Sequence, residues 1–406
     1  MAVTVAGVSC QRELVAPGQC PETCPGGSPR VFDTVLTATP GVDSTFVGYV
    51  LPGEGPALLV SRGQPGIEAR AVIKFLPLAD SVLVGDTLRA FTVDSVGFRL
   101  GLVARDSTVP GLQIKLYRIP SSTDSSVAFL DLVPYLVDST LIGTITVDDS
   151  VATGPFRLVV SDSAKLDLLR LAPADSGVMA IAVSMSAAQA TGIRIGSQST
   201  AGLGPLWQTF ATFTDITDTT LKEQTLTRIA TFNTFVTKSP PVFNDSVLTL
   251  GGAPSARPLI RFSLPPFLGS SDSVQIVRAT LQLFPVKPIP GLPGDSAVIR
   301  VRGVLSDLGS KSPRCNFTPG SPCGAAVITK FAQQELVVGS SDTVQIEIEE
   351  LVRGWQGDNG AARALFLDLG PEAASFTRPE FGSSRIPGFE PRILLTYVLP
   401  FPFDER

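Results

Sequence analysis

Apolar and polar side chains alternate along this chain in short runs. In 96–102, Val96, Phe98, Leu100 and Leu102 share one parity, with Gly and Arg between them. Val344-Gln-Ile346-Glu-Ile348, Leu365-Phe-Leu367-Asp-Leu369 and Ile299-Arg-Val301-Arg302 repeat the pattern. A period of two sets one face of a strand on a core and the other in water, as in an antiparallel sheet. Gly, Pro, Asp and Ser separate the runs, which fits a sandwich or a barrel. Apolar residues at helical spacing are scarce. Only 166–171 (Leu-Asp-Leu-Leu-Arg-Leu) and 348–355 (Ile-Glu-Glu-Leu-Val-Arg-Gly-Trp) predict a turn or two of helix.

The same order of segments occurs twice. Ala69-Arg-Ala-Val-Ile-Lys-Phe75 matches Ala256-Arg-Pro-Leu-Ile-Arg-Phe262. Residues 113–116 fall opposite 298–301, 178–181 opposite 363–366, and 206–207 opposite 393–394. The offset stays near about 185 to 187 residues, too long for a solenoid and suited to a whole domain. The polar stretch 214–224 lies between the copies. The expected fold class is therefore all-β, two tandem antiparallel β-sandwich (jelly-roll-like) domains with one or two short helical turns each. The expected spans are 1–30 for a signal remnant and Pro/Gly-rich tether, 31–215 for the first sandwich, 216–225 for a linker, 226–399 for the second sandwich and 400–406 for a tail.

The second half carries an ordered set of segments. Asn233-Thr-Phe-Val-Thr-Lys-Ser-Pro240 is followed by Arg257-Pro-Leu-Ile-Arg-Phe262 and Ala279-Thr-Leu-Gln-Leu283. Then come Ile346-Glu-Ile-Glu-Glu-Leu-Val-Arg-Gly-Trp355, Ala364-Leu-Phe-Leu367 and Pro391-Arg-Ile-Leu-Leu-Thr-Tyr397. Over roughly residues 226–399 this set resembles the DNRLRE-type domain, a β-sandwich module related to carbohydrate-binding module family 96. The first half is a divergent copy: 32–40 and 70–75 fit, Leu166-Asp-Leu-Leu-Arg170 replaces the segment that ends in tryptophan, and the closing strand survives as 205–210. The resemblance implies a β-sandwich in each half, core positions for Trp355 and Tyr397, and contact with carbohydrate.

Composition narrows the chemistry. The chain has no histidine, which excludes a Ser-His-Asp or Cys-His catalytic set, His-ligated zinc or haem, and a His-based pH switch. With 37 acidic against 32 basic residues it lacks the basic excess of a nucleic-acid binder. Phosphate-binding glycine loops are missing. Asp175-Ser176-Gly177 has the tripeptide of aspartic proteases, but it occurs once and that chemistry needs a pair, so a turn is expected. Glu347, Glu349 and Glu350 are the densest carboxylates; Glu347 and Glu349 are expected on the wet face of one strand. Asp followed by Ser or Thr recurs throughout, which predicts turns, with calcium ligation as the alternative. No other cofactor is expected. The 2 Trp and 4 Tyr offer few rings for stacking on sugars. A binding face would then rest on polar groups such as Arg300 and Arg302, which share a strand face and suit the carboxylate of a polyuronate. The same pair also fits a plain solvated strand.

Cysteine placement bears on compartment. Cys20 and Cys24, and Cys315 and Cys323, form two close pairs among Pro, Gly and Ser. Both read as disulfide-closed loops, with metal binding or free thiols as the alternatives. Cys10 follows a small apolar stretch that resembles the end of a bacterial lipoprotein signal, which makes it a lipid-anchor candidate; a buried thiol is the other reading. The expectation is an extracytoplasmic protein, an outer-membrane lipoprotein or secreted, touching a membrane only through such an anchor. Its expected role is non-catalytic, structural or adhesive, with cell-surface or extracellular polysaccharide as the partner. The alternatives are a binding module of a carbohydrate-active system and, further off, a glycan-degrading enzyme.

Overall fold

The computed structural model describes residues 30–399, apart from 65–66, 79–80, 85, 172–174, 215–219, 239–243, 270–273, 294–296, 313–331 and 357–361. Cys10, Cys20, Cys24, Cys315 and Cys323, the tether and the tail lie outside the described residues, and so do the anchor and disulfide expectations. In chain order the first elements are β1 (Arg30–Thr37), β2 (Ser44–Val47), β3 (Ala57–Arg62), β4 (Ala69–Phe75), β5 (Ser81–Val84), β6 (Thr87–Ala90), β7 (Thr92–Arg105) and β8 (Gln113–Arg118). They continue with β9 (Leu141–Thr146), β10 (Gly154–Val160), α1 (Ser163–Leu169), β11 (Ala180–Ser186), β12 (Thr191–Gly196), β13 (Leu206–Thr214) and β14 (Leu221–Thr237). The remainder are β15 (Val247–Thr249), β16 (Ala256–Arg261), β17 (Gln275–Leu283), β18 (Ala297–Gly303), β19 (Ala332–Leu336), β20 (Val344–Glu347), α2 (Glu349–Arg353), β21 (Ala364–Gly370), β22 (Glu380–Gly382) and β23 (Arg392–Leu399). The architecture is all-β and sandwich-like, and the two α-helices among the described residues fall on the two segments with helical spacing.

Two cores organise the chain. One gathers Ile73, Phe75, Phe98, Leu100, Ile114, Ile181 and Trp207 from β3–β14. The other gathers Ile260, Leu281, Ile299, Ile346, Leu367 and Ile393, and also Leu36 and Ala38 from the start of the described chain. The second core lies between the sheets β1-β23-β17-β20 and β19-β18-β21-β16-β2. The first is enclosed by β10, β7, β12, β3 and β13 on one side and by β9, β8, β11 and β4 on the other, with the long β14 running through both sides.

Matching the two halves strand for strand reveals an exchange. β16-β21-β18-β19 repeats the order β4-β11-β8-β9, and β23-β17-β20 repeats β13-β7-β10. The place that β14 takes beside β13 and β4 is taken in the second sandwich by β1 beside β23 and by β2 beside β16. Yet by sequence β1 and β2 precede the first copy, and β14 precedes the second. Each copy therefore donates its leading strand to the other. The expected spans are redrawn accordingly. Residues 30–47 belong to the second sandwich, 221–237 belong to the first, and the expected linker at 216–225 overlaps a β13–β14 hairpin in which Thr214 pairs with Leu221. A strand's alternation states which face is apolar; it does not state which of two duplicated edges will accept it.

The exchanged segment is pinned by polar contacts as well as by the ladders. The carboxylate of Asp43, fully buried, accepts from Ser384 N at 2.7 Å and Ser384 Oγ at 2.6 Å, and Arg385 NH1 lies 3.0 Å from its Oδ1. Arg385 also donates to Gly41 O and Asp245 O. Where the chain then crosses toward β3, Gly53 has φ +95° and a Cβ there would stand 2.2 Å from Asn233 O of β14. Asn233 Nδ2 donates to Gly53 O at 3.1 Å and Thr234 Oγ1 donates to Pro52 O at 3.0 Å, so the two crossing segments hold each other.

Both inner strands of the larger-faced sheets are apolar on two sides, because those sheets are covered outside too. Val72, Ala180 and Ala182 meet Ile119 and Leu132 from the excursion after β8. Leu259, Ala364 and Phe366 meet Phe46 and Tyr49. This explains why 71–73 and 364–367 read as continuous apolar runs. It also corrects two pairings in the repeat: Phe366 turns outward where the aligned Ile181 is in the core, and Leu394 is exposed where the aligned Trp207 is buried. Between the sandwiches Phe376 inserts against β12, where a Cβ on Gly192 would come within 2.6 Å of its ring.

Two outcomes are expected. Leu36→Ala should destabilise the protein by about 2–5 kcal/mol, the range for truncating a buried leucine. By hydrogen exchange the loss of protection should fall on 247–399, while 57–237 stays protected. Phe376→Ala should cost about 3–5 kcal/mol, read by calorimetry as a lower unfolding midpoint, because the ring that packs against β12 between the sandwiches is lost.

Candidate functional site

The outer face of β1-β23-β17-β20 differs from the covered faces: it is polar and open. Alternation builds it. In β17, Ala279, Leu281 and Leu283 enter the core, which turns Arg278, Thr280 and Gln282 outward. In β20, Val344 and Ile346 point in and Gln345 and Glu347 point out. β23 contributes Arg392, Leu394 and Thr396, and the exchanged β1 contributes Asp33 and Val35. The result is a groove of about 420 Å³ lined by Asp33, Val35, Arg278, Thr280, Gln282, Gln345, Leu394 and Thr396.

Thr280 and Gln282 are buried at its floor. Arg278 donates through NH2 and Nε to Glu347 Oε1, at 2.8 and 3.2 Å, and Thr280 Oγ1 donates to the same oxygen at 2.9 Å. On the other side Thr396 Oγ1 donates to Asp33 Oδ1 at 2.6 Å. Arg392 Nε donates to Gln282 Oε1 at 2.8 Å while its guanidinium lies 4.6 Å over the Phe284 ring. Partial burial pushes the Glu347 carboxyl up, but the hydrogen bonds from Arg278 and Thr280, with the Arg278 charge, outweigh it and hold the group below its ordinary value. The hydrogen bond to Glu347 raises Arg278 in turn. The groove thus offers fixed donors and acceptors in an open channel with an apolar strip, Val35 and Leu394, along one side. Such a surface suits a ligand rich in hydroxyl groups.

Arg300 and Arg302 lie on the opposite sheet, not in this groove. Arg302 Nε donates to Asp368 Oδ2 at 2.5 Å, and Arg300 Nε stands 2.6 Å from Asp368 Oδ1 as a charge contact without hydrogen-bond alignment. Asp368 is 1% exposed, so the two guanidiniums serve as counter-ions to a buried carboxylate on the neighbouring strand. Trp355 is buried and packs on Phe262 with centroids 6.2 Å apart. Tyr397 is only partly buried: its ring stacks on Phe32 at 5.5 Å and meets Phe267 at 5.7 Å. Phe32 and Phe267 are 37% and 50% exposed, an aromatic cluster at one end of the second sandwich that no single segment announces.

The carboxylate cluster divides. Glu347 ends β20 and faces the groove, whereas Glu349 starts α2 and pairs with Arg353 at 2.7 Å, so the two do not share a strand face as expected. Asp175 accepts from Arg118 NH2 at 3.0 Å and Ser121 Oγ at 2.7 Å, and Ser176 and Gly177 follow with positive φ, the geometry of a turn. Asp106, Asp124 and Asp148 each accept from the backbone N–H and the hydroxyl of the Ser or Thr two residues on. Among the described residues no group of three or more His, Cys, Asp or Glu is placed to hold a metal ion. No described helix is long and apolar enough to cross a membrane.

No family model matches this chain, and no curated protein matches it. Among solved structures it aligns with the N-terminal CBM22-1–CBM22-2 tandem domain of Paenibacillus barcinonensis Xyn10C over 89% of this chain and 100% of that one, at 9% identity and a TM-score of 0.16. A TM-score of that size carries no inference about fold or function.

Thr280→Val removes one of the hydrogen bonds that hold Glu347 ionised. Its pKa should rise toward the ordinary glutamate value in a carbon-detected NMR titration. The stabilisation linked to Glu347 is present above the ordinary glutamate value and fades as pH falls through the depressed one. In the variant the linked stabilisation should be smaller, and its loss should be complete at a higher pH.

Proposed function

We propose that this is a non-catalytic, extracytoplasmic protein of two strand-exchanged DNRLRE-type sandwiches that contacts polysaccharide through the groove on β1-β23-β17-β20. One observation carries the reading. The open outer face of this sheet is lined by Asp33, Arg278, Gln345 and Thr396 beside an apolar strip of Val35 and Leu394. Sugars present alternating hydroxyl and C–H faces, and carboxylate, guanidinium and amide groups held in place match the hydroxyl pairs. Asp33 and Gln345 sit on exposed strand faces, so they are available without unfolding anything. The sequence resemblance to a carbohydrate-related module supports the same reading. Arg300 and Arg302 enter it only as structural counter-ions. A lipid anchor at Cys10, or secretion without one, completes the proposed setting at the cell surface.

The test is a glycan array followed by calorimetry on the best polymer. Binding should appear for one polysaccharide class without turnover of it. Asp33→Ala and Gln345→Ala should each weaken binding about 5- to 10-fold, as for a lost hydrogen bond to a charged or neutral partner, with the unfolding midpoint little changed. Release of shortened sugar would point to an enzyme. Silence across the array, or binding indifferent to both substitutions, would discard the groove.

A further inference from the structure

The first sandwich has an opening that the second has filled. In the second, Trp355 follows α2 and packs on Phe262. Phe75 corresponds to Phe262 in the repeat, but α1 is followed by Arg170 and Leu171 and carries no ring. Instead Phe75 meets Trp207 of β13, centroids 6.3 Å apart. Beneath α1 remains a cleft of about 400 Å³, bounded by Leu78, Phe91, Val96, Leu166 and Leu169, with Trp207 and Thr209 also in its lining. That volume falls within the range of small-molecule sites.

Two polar atoms point to its use. Trp207 is 2% exposed and Thr209 is 1% exposed, and among the described residues neither Trp207 Nε1 nor Thr209 Oγ1 has a hydrogen-bond partner. They stand two residues apart on the core-facing side of β13. Buried donors left without partners are disfavoured, and in native proteins they mark places where something else supplies the acceptor. The cationic group at the rim, Arg170, is already paired with Asp167 at 2.9 Å. The remaining lining is neutral and mostly apolar.

We propose that this cleft is a binding site for a neutral, apolar small molecule carrying one carbonyl or hydroxyl oxygen. The apolar body lies against Phe91, Leu166 and Leu169, and the oxygen accepts from the Trp207 N–H with the Thr209 hydroxyl beside it. The site is separate from the polysaccharide groove, which belongs to the other sandwich.

The probe is Prodan, a naphthalene with one ketone whose emission reports both polarity and hydrogen bonding, titrated into the full chain. It should bind saturably at one equivalent with a blue-shifted emission. The chain has 2 tryptophans, so a proton–nitrogen spectrum shows two indole N–H peaks; that of Trp207 should move and that of Trp355 should stay. Trp207→Phe keeps an aromatic body without the donor and should weaken binding about tenfold. Thr92→Tyr, at an exposed position on the mouth, should abolish binding in a protein that folds normally. The assignment is overturned by a lack of saturable binding, by movement of the Trp355 peak alone, or by an affinity that Thr92→Tyr leaves unchanged.

Discussion

Antiparallel pairing between Arg30–Thr37 and Arg392–Leu399 joins the first described strand of the chain to the last, in unbroken register from Arg30 opposite Leu399 to Thr37 opposite Arg392. Residues 247–399 lack one edge strand of each sheet of the second sandwich, because both sheets end on a strand contributed from the start of the chain. The first sandwich has the reciprocal need for β14. Loop closure across more than three hundred residues costs entropy that grows only slowly with length, and the two ladders, the Leu36 side chain in the core and the buried Asp43–Arg385 contact offset it.

The candidate groove follows from that closure. Asp33 reaches Thr396 across the β1–β23 ladder, a hydrogen bond between residues 363 positions apart. The opposite wall, Arg278 with Glu347, is internal to the second copy. In the first sandwich the matching outer face carries different chemistry: Arg157 lies 4.8 Å over Phe210, and Gly97 packs against that guanidinium. The two sandwiches thus share one strand order but differ in surface, with an open polar channel on one and a half-filled interior on the other.

Much of the framework was legible in the residues. Period-two runs at 96–102, 297–302 and 364–370 became strands, and the two short stretches with helical spacing became α1 and α2. The repeat pairs Ile73 with Ile260 and Ile114 with Ile299, and all four are in the cores. What escaped was pairing. Nothing in the local pattern of residues 30–37 or of 221–229 says which copy's sheet edge each will join. The site escaped for a related reason. Arg300 and Arg302 were conspicuous as two cations on one face, but both lie against Asp368, a carboxylate hidden inside an apolar run. Asp33, Thr280 and Gln345 were inconspicuous singly and meet only once β1, β17 and β20 share a sheet.

Because Arg30 stands opposite Leu399, the polypeptide enters and leaves the described body at a single point on one sheet margin. Tension applied between those two points would not shear the β1–β23 ladder along its length. It would peel the ladder open, one pair of backbone bonds after another, from the exposed end toward Thr37 and Arg392. A pull applied from one side only would bypass the ladder and leave it closed. The mechanical resistance of the molecule therefore depends on whether it is held at one end or at both.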